Sequence, residues 1–422
     1  MHERRAVTRQ VAGRYRKATK KEKGEILDEF VALTDYTRTY AAYVLRHGVA
    51  SRERRRKQGK GSRKSSGRGT TYDIRVQKKL KTVWAIMDFI CGKRLAPVMG
   101  ETVTKLIKHG ELKVDTETAG KLSRISAATI DRLLAPERKK QALRGRHGTK
   151  PGTLLKHQIP IRTFAEWDED RPGFTEIDLV GHDGGNPRGE YCQTLDVTDI
   201  RTGWTETEGV RNKAQTWVFA ALKNIRWRLP FDLLGIDSDN GSEFINHHLL
   251  RYCRNQKITF TRGRAYRKND NCYVEQKNWS VVRRAVGYCR YDTPEELELL
   301  NELYGHLRLY TNFFQPVMKL IEKTRVNGKV RKRYDTARTP YTRVLESDLV
   351  PKKNKQRLKT MYEQLNPAAI KRQITTLQNK LLDLAALKTE AAKQRALKDT
   401  KARQKQQHFE KILGEATIHH LE

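Results

Sequence analysis

Phe174-Thr-Glu-Ile-Asp-Leu-Val180 reads as a short β-strand in which Asp178 has apolar residues on both sides. Two further strands are predicted at Tyr191–Val197 and Trp204–Val210, after turns rich in glycine and aspartate. Short apolar runs bounded by such turns are typical of strands. Because the three strands follow one another without a helical pattern between them, we expect them to form a meander.

Helices and strands alternate after this meander. An amphipathic helix at Ala214–Arg228 precedes a fourth strand at Phe231–Asp237, and a helix from about Ser242 to Asn255 precedes a fifth strand at Ile258–Thr261. A further helix is expected from about Asn271 to Gly287. This order predicts a five-stranded mixed α/β sheet with helices, which we place at residues 166–305.

The chain carries a large positive charge that is divided unevenly along its length. Its 422 residues include 85 lysines and arginines and 49 aspartates and glutamates, a formal net charge of +36. Residues 161–305 hold 20 basic and 23 acidic side chains, so the flanks carry all of the excess. Each Lys or Arg that binds a phosphate of a nucleic acid releases counterions, which favours binding. We therefore expect nucleic acid as the partner. The acidic side chains of the middle segment suit metal chemistry.

Membrane-spanning and secreted proteins are excluded as classes. The best apolar window, Val83–Cys91, is interrupted by Asp88 and falls short of the roughly 18 residues that span a bilayer. The first thirty residues are basic and lack the apolar stretch of a secretory signal. The five cysteines are scattered without a Cys-x-x-Cys pair, which favours a reducing cytoplasm.

Residues 1–50 are predicted to form a helix-turn-helix. Thr19-Lys-Lys-Glu22 has the pattern of a capping box. The apolar residues that follow at helical spacing are Ile26, Leu27, Phe30 and Leu33. Those of a second helix, which begins after a break near Asp35, are Tyr36, Tyr40, Tyr43 and Val44. A plain helical hairpin is the alternative. Residues 51–71, rich in Lys and Arg, are expected to be a disordered linker.

A second helical domain is expected at residues 72–136, followed by another basic linker at 137–165. Its last two helices, Thr116–Leu122 and Ser126–Leu134, are separated by the turn Ser123-Arg-Ile. A short second helix with Ser126 as its N-cap is typical of a helix-turn-helix. Thr129 and Arg132 of this helix are predicted to face a DNA groove.

The C-terminal third completes a multidomain chain. Residues 306–350 are predicted to form a small basic module rich in β-structure, since Lys329–Arg333 and Thr336–Val344 are rich in basic, Thr and Val residues. Residues 351–422 are predicted to form a basic helical tail that starts near Asn366-Pro367. Its short heptad seam, expected to pack on the chain itself or on a second copy, consists of Ile370, Ile374, Leu377, Leu381 and Leu384.

Three acidic residues of the middle segment stand out by position. Asp178 lies in the first strand, Asp239 ends the fourth strand before Asn240-Gly241, and Glu275 lies in the first turn of the following helix. Adjacent strand ends can bring two aspartates together, and a helix crossing them can supply the third carboxylate. Such hard oxygen ligands suit Mg²⁺ or Mn²⁺. Two such ions are able to assist an in-line phosphodiester displacement.

Each of these acids also has an explanation that needs no metal. Asp178 suits a strand-end turn, Asp239 suits an Asx turn, and Glu275 suits the positive end of a helix dipole. The pattern alone does not distinguish Asp239 from Asp237, because both lie on one face of the strand. The remaining candidate acids, which we expect to be turn or sheet-edge residues, are Asp183, Asp196 and Asp199.

The wider pattern resembles the integrase catalytic core shared by bacterial insertion-sequence transposases and retroviral integrases. The resemblance rests on Asp239-Asn-Gly-Ser-Glu-Phe244 and on Glu275 in Lys268-Asn-Asp-Asn-Cys-Tyr-Val-Glu-Gln-Lys-Asn278, with 35 residues between Asp239 and Glu275. It covers about residues 160–345, and it selects Asp239 because the family's aspartate directly precedes Asn-Gly. It implies a ribonuclease H-like fold and a triad of Asp178, Asp239 and Glu275 that binds two Mg²⁺ ions, with Mn²⁺ as a substitute.

Several residues near the triad are candidates for DNA contacts. Asn240 lies in the turn after Asp239, and Asn271 and Asn278 lie one helical turn either side of Glu275. The loop before this helix is suited to clamping the phosphates of a DNA end. Its cationic residues, which a solvated loop would also explain, are Arg262, Arg264, Arg267 and Lys268.

The chain lacks the His and Cys pairs of the retroviral zinc domain, so a bacterial-type DDE transposase is the closer resemblance. Such an enzyme would cut the ends of its element and transfer the 3′-hydroxyl into target DNA. Its expected partners are double-stranded DNA, as terminal repeats and target, and further copies in a homodimer or larger assembly. We expect it in the bacterial cytoplasm with the nucleoid. The alternatives are a non-catalytic DNA-binding regulator and a ribonuclease H-like nuclease without joining activity.

Overall fold

The structure of the protein is a computed structural model that describes residues 2–34, 36–47, 71–139, 171–239, 241, 243–244, 247–262, 272–326 and 329–391. The chain divides into two compact units, residues 1–70 and 71–422. In the described part of the chain, every helix is too short or too polar to cross a bilayer. Both predicted basic linkers lie almost entirely outside the described residues.

The described part of the first unit consists of helices α1 (His2–Lys17), α2 (Lys20–Thr34) and α3 (Arg38–His47). At the start of α2, the Glu22 carboxylate accepts hydrogen bonds from the Thr19 amide at 2.7 Å and hydroxyl at 2.8 Å. This is the carboxylate half of the expected capping box. Phe30 and Thr34 are buried four residues apart on one face of α2, so Leu33 points to solvent, contrary to expectation. A DNA-binding role for α2 and α3 remains a prediction.

The second unit begins with a group of helices. They are α4 (Ile74–Ile86), α5 (Gly92–Leu95), α6 (Met99–Lys108), α7 (Thr116–Ser123) and α8 (Ala127–Lys139). The Ser126 hydroxyl accepts a hydrogen bond from the Thr129 amide at 3.3 Å, as expected of an N-cap. α8 continues through Pro136 instead of ending before it. Pro136 lies in the last turn of α8, where its missing N–H removes only one intrahelical hydrogen bond.

The centre of the second unit is a five-stranded mixed sheet. Its strands are β1 (Phe174–Gly181), β2 (Gln193–Asp199), β3 (Thr205–Val210), β4 (Gly235–Ser238) and β5 (Thr259–Arg262), in the order β3-β2-β1-β4-β5. β2 pairs antiparallel with β1 and β3, whereas β4 pairs parallel with β1 and β5. This five-stranded mixed sheet with its helices matches the ribonuclease H-like core that the sequence implies.

Helices follow the strands in the expected alternation. They are α9 (Gln215–Arg228), α10 (His247–Asn255), α11 (Cys272–Lys277), a π-helical segment (Asn278–Arg283), α12 (Arg284–Val286) and α13 (Pro294–Phe314). The exposed edge of β3 is closed by two asparagines of α13. Asn312 accepts a hydrogen bond from the Thr205 amide at 2.9 Å and donates to its carbonyl at 2.8 Å. Asn301 makes the same pair of contacts with Gly209, at 2.8 and 3.1 Å. These amides satisfy backbone groups that an edge strand otherwise leaves free.

The C-terminal elements are β6 (Leu320–Val326), β7 (Lys329–Tyr334), α14 (Pro340–Glu346), α15 (Lys352–Gln364) and a helix, α16, over residues 367–391. β6 and β7 form a two-stranded antiparallel hairpin. The Thr336–Val344 segment, expected to be β-rich, contains the start of α14 instead. Thr339 caps this helix by accepting a hydrogen bond from the Thr342 amide at 3.1 Å, and Pro340 follows at the first helical position.

The heptad seam of α16 packs on the chain's own core. Four seam residues belong to the main hydrophobic core of the second unit: Ile370, Ile374, Leu377 and Leu381. Polar contacts also hold this helix. The Lys388 ammonium forms ion pairs with Asp292 and Glu296, each at 2.7 Å. The Gln378 side-chain amide donates to the Ala285 carbonyl. The seam is therefore used within one chain and is not free to pair with a second copy.

We predict that Leu381→Ala lowers the free energy of unfolding by about 2–5 kcal/mol, because it leaves a cavity in the core. The neighbouring substitution Leu382→Ala is the matched control, since Leu382 is 45% exposed on the same helix, and it should cost less than about 0.5 kcal/mol. Urea denaturation of the full chain measures both. Equal effects of the two substitutions would contradict the burial of the seam.

Candidate active site

The register of the sheet places three aspartates in one row. Asp178 of β1 lies directly opposite Asp196 of β2. On the other side of β1, Ile177 pairs with Ser238, so Asp178 and Asp239 occupy the next neighbouring positions. Residues directly opposite each other in a sheet point to the same face. The row Asp196–Asp178–Asp239 thus crosses three adjacent strands.

A second acidic row lies two residues earlier along β1. Glu176 pairs with Asp237 of β4, and the two side chains share the face of the first row. Both residues are buried. Asp237 accepts a hydrogen bond from the Thr261 hydroxyl at 2.5 Å. Asp237 therefore contacts β5 inside the sheet, whereas Asp239 follows the end of β4 and is partly exposed.

Both ends of α11 are attached to β1. The Glu176 carboxylate accepts hydrogen bonds from the amides of Tyr273 and Val274, each at 2.8 Å, in the first turn of the helix. Just beyond the last turn, the Asn278 amide group donates to Asp178 at 2.6 Å. Glu275 lies between these two attachments. The helix that carries the third acid is thereby fixed over the acidic face of the sheet.

The turn after β4 brings Gly241 close to two acidic side chains. The Gly241 amide donates to Asp239 at 2.8 Å, which closes an Asx turn. A Cβ atom at Gly241 would lie 2.9 Å from the same Asp239 oxygen and 2.6 Å from Cδ of Glu243. A larger residue would have to displace the flexible carboxylate end of Glu243 and shift the Asp239 side chain. The Asp-Asn-Gly string thus sets the orientation of the Asp239 carboxylate.

Burial and mutual repulsion disfavour the ionised forms of these acids. Burial, followed by the charges of Asp239 and Glu275, raises the pKa of Asp178 to about 7. Burial also raises the pKa of Asp239. It raises the pKa of Glu176 well above its ordinary value, and the charge of Asp237 adds to this effect. The site concentrates negative charge that its own surroundings only partly compensate.

The donor set fits a hard divalent cation. Carboxylate oxygens are the ligands that Mg²⁺ prefers, and a cation between Asp178 and Asp239 would favour the ionised forms that burial and repulsion oppose. Among the side chains that the structure describes, no three His, Cys, Asp or Glu residues are gathered closely enough to form a finished metal site. Glu275 lies on α11 as an exposed residue, and its charge acts on Asp178 together with that of Asp239.

Asp196 is not the turn or sheet-edge residue that we expected. It lies in the middle of β2, is fully buried and faces Asp178. Burial raises its pKa, and the buried ammonium of Lys277 on α11 opposes this shift. The expectation does hold for Asp199, which accepts hydrogen bonds from the Thr202 amide and hydroxyl in the β2–β3 turn. It also holds for Asp183, which accepts from the Gly185 amide.

Sequence reasoning missed Glu176 as a part of the site. Its spacing of two residues from Asp178 already puts both side chains on one face of β1. That signal does not reveal that its partners are the amides of α11, almost 100 residues further along the chain. Asp196 was missed as a neighbour of Asp178 for a similar reason, because the register of β1 and β2 is set by tertiary packing.

The residues predicted to contact DNA lie in several elements, and their DNA contacts remain a prediction. Asn278 holds Asp178, and Arg262 is the last residue of β5 with 8% of its surface exposed, so it is not part of a loop. In α8, Arg132 is exposed, while Thr129 is partly buried and its hydroxyl accepts from that of Ser126. The remaining candidates lie outside the described residues: Asn240, Arg264, Arg267, Lys268 and Asn271.

We predict that Glu176→Ala destabilises α11, because two helical amides lose their acceptor. The expected cost is about 0.5–2 kcal/mol, as for other N-terminal caps. Hydrogen exchange at the Tyr273 and Val274 amides should accelerate. Glu176→Gln is the matched control, since its amide oxygen still accepts these hydrogen bonds. Unchanged exchange in the alanine variant would rule out the capping role.

Two integrase structures show a limited similarity. The catalytic core domain of BIV integrase is 16% identical, the match covers 40% of this chain and 91% of that chain, and the TM-score is 0.28. The HTLV-2 integrase catalytic core domain in complex with magnesium (trimeric form) is 14% identical, with 34% and 88% covered and a TM-score of 0.27. Scores of this size do not establish a common fold, so the fold assignment rests on the strand order.

One curated relative covers most of the chain. No protein-family model matches the sequence. The uncharacterized protein y4rM of Sinorhizobium fredii (strain NBRC 101917 / NGR234) is 41% identical over 332 residues, which are 78% of this chain and 91% of the relative. Identity at this level over most of both chains places them in one family. The chain therefore belongs to the family of y4rM.

Proposed function

We propose that the protein is a DDE-type DNA transposase, a metal-dependent polynucleotidyl transferase that cuts the ends of a DNA element and joins them to target DNA. The observation that carries the proposal is the neighbouring position of Asp178 and Asp239 on paired parallel strands, beneath a fixed helix that bears Glu275. The charge distribution supports a polyanionic substrate, because the basic flanks surround a nearly neutral core.

The proposed chemistry consists of two in-line displacements at phosphorus. In the first, water attacks the phosphorus at the end of the element and breaks its bond to the 3′-oxygen, which leaves a 3′-hydroxyl on the element and a 5′-phosphate on the flank. In the second, this 3′-oxygen attacks a phosphorus of target DNA and displaces a target 3′-hydroxyl. One bond forms and one breaks in each step, so the second step needs no external energy source.

The protein's own residues supply orientation. Asn278 and the Leu179 amide each donate a hydrogen bond to the Asp178 carboxylate, at 2.6 and 2.8 Å, which limits its rotation. The Gly241 amide does the same for Asp239. Glu176 holds the first turn of α11, the helix that carries Glu275, through the amides of Tyr273 and Val274. Such preorganisation lowers the cost of reaching a near-attack geometry.

Asp178, Asp239 and Glu275 are the residues that would hold two Mg²⁺ ions, with Mn²⁺ as a substitute. When bound, such ions lower the pKa of an attacking oxygen and stabilise charge on the leaving oxygen. The raised pKa values of Asp178 and Asp239 are consistent with a site completed by cations.

The proposed DNA partners are the terminal repeats of the element and the target duplex. α2–α3 and α7–α8 are the candidates for recognising the repeats, with Arg132 exposed on α8. Joining two ends in concert calls for a homodimer or a larger assembly. The seam of α16 is buried in its own chain, so another surface must mediate this assembly.

We predict that Asp239→Asn lowers both end cleavage and strand transfer by at least about 100-fold, the loss typical when an electrostatic contribution to the transition state is removed. DNA binding should persist, because the substitution removes a negative charge. Asp232→Asn is the matched control, since Asp232 is exposed just before β4, and it should leave both activities unchanged. The measurement uses end-labelled element DNA with Mg²⁺ and a target plasmid.

The products separate the proposed function from its alternatives. Joined products that require Mg²⁺ and Asp239 support a transposase. Cleavage without joining would indicate a nuclease, and binding without either activity would indicate a regulator. Retention of full strand transfer in Asp239→Asn would refute the assignment of the triad.

A further inference from the structure

The β6–β7 hairpin is a strongly basic element that the proposed chemistry does not use. Residues 320–334 contain six lysines and arginines and one glutamate. β6 and β7 pair antiparallel, with a register shift between Leu320 and Glu322. The hairpin lies outside the sheet that carries the acids. The positive charge of the hairpin therefore calls for a role outside the acidic site.

Within the part of the chain that the structure describes, both faces of this hairpin are exposed. Every side chain that the structure describes in the two strands is exposed, including the apolar Ile321 at 53% and Val330 at 48%. A two-stranded ribbon without a packed face is only marginally stable by itself. This exposure indicates that the hairpin contacts a partner.

The base of the hairpin is held firmly in the second unit. The Lys319 amide donates to Asp335 at 2.6 Å, and the Arg343 guanidinium donates to the second oxygen of Asp335 at 2.7 Å. The Lys319 ammonium also donates to the carbonyl oxygens of Ile200 and Arg201, beside the β2–β3 turn. These contacts tie the base to the catalytic sheet, so the strands protrude from a fixed base.

The arrangement of charge on the hairpin favours a polyanion. Lys323 and Lys332 are directly opposite each other on one face, and like charges at such positions destabilise a sheet. On the other face, Arg331 lies opposite Thr324, whereas Arg333 forms a 3.0 Å ion pair with Glu322. Phosphates placed between Lys323 and Lys332 would replace this repulsion by attraction.

We propose that the β6–β7 hairpin binds double-stranded DNA by lying in its major groove, with Lys323 and Lys332 directed at phosphates. A strand of seven residues is about 20 Å long, and the major groove, about 12 Å wide, admits a two-stranded ribbon. The exposed Ile321 and Val330 supply apolar contacts to base edges. The proposal deepens the proposed function, on which it rests only for the choice of DNA as the polyanion.

The test compares the full-length double variant Lys323→Ala/Lys332→Ala with a charge-matched control, Lys81→Ala/Lys108→Ala. The control lysines are similarly exposed but form ion pairs with Glu137 and Glu363, at 2.8 and 2.7 Å. Binding to a 30-base-pair DNA duplex of arbitrary sequence is measured by fluorescence anisotropy over a salt series. The same measurement uses an RNA duplex of equal length, whose deep and narrow major groove does not admit side chains.

We expect the hairpin variant to bind the DNA duplex about tenfold more weakly and to lower the salt slope by about 1.8, or about 0.9 per lost phosphate contact. The affinity of the hairpin variant for the RNA duplex, and the affinity of the control variant for the DNA duplex, should change by less than about threefold. Equal losses for DNA and RNA would overturn the groove assignment. No loss for DNA would also overturn it and leave the lysines as a guard against edge-to-edge pairing of β6–β7.

This outcome is independent of the proposed transferase activity. Asp239→Asn should bind the DNA duplex as tightly as the unsubstituted protein, because its substitution lies on the acidic face of the sheet. If strand transfer is absent in every variant but the DNA-specific loss is present, the proposed function fails and the hairpin assignment stands. If strand transfer is present but the hairpin variant shows no DNA-specific loss of binding, the hairpin assignment fails and the proposed function stands.

Discussion

The gathering of carboxylates on one face of β1, β2 and β4 is the constraint on which the rest of the candidate site depends. Glu176, Asp196 and Asp237 are buried, and Asp178 and Asp239 reach the surface beside them. Burying acids without full compensation is unfavourable, and the raised pKa values of Glu176, Asp178, Asp196 and Asp239 reflect that cost. A fold keeps such an arrangement only when other contacts stabilise it.

Those contacts come from a helix that is remote in sequence. The amides of Tyr273 and Val274 both donate to one oxygen of Glu176, and Asn278 donates to one oxygen of Asp178. The same bonds that lower the cost of the buried acids therefore fix the helix that carries Glu275. Lys277 of this helix adds a buried positive charge that acts on Asp196. Stability and site geometry thus rest on the same hydrogen bonds.

The distribution of charge gives different regions of the second unit different roles. The sheet concentrates negative charge where cations would be bound, whereas the β6–β7 hairpin concentrates positive charge on a ribbon whose described side chains are exposed. Since the base of the hairpin is tied to the carbonyls of Ile200 and Arg201, the position of a DNA duplex bound there would be fixed relative to β2. The proposed strand-joining activity would require such a fixed contact with DNA.

Local patterns in the sequence determined the elements and their order. Alternating apolar residues and turn residues located all five strands to within a few positions. The string Asp239-Asn-Gly identified the turn at the end of β4, where the Gly241 amide donates to Asp239. The resemblance to an integrase core then selected Asp239 over Asp237. The heptad spacing also located α16 without revealing which surface it covers.

Only the tertiary structure decided which of these residues meet. The pairing of Asp178 with Asp196, the capping of α11 by Glu176 and the contact of Asn278 with Asp178 all join segments far apart in the chain. Sequence periodicity specifies which face a side chain occupies, because it follows from backbone geometry. It does not specify register or the partner of that face, because these depend on the packing of the whole core.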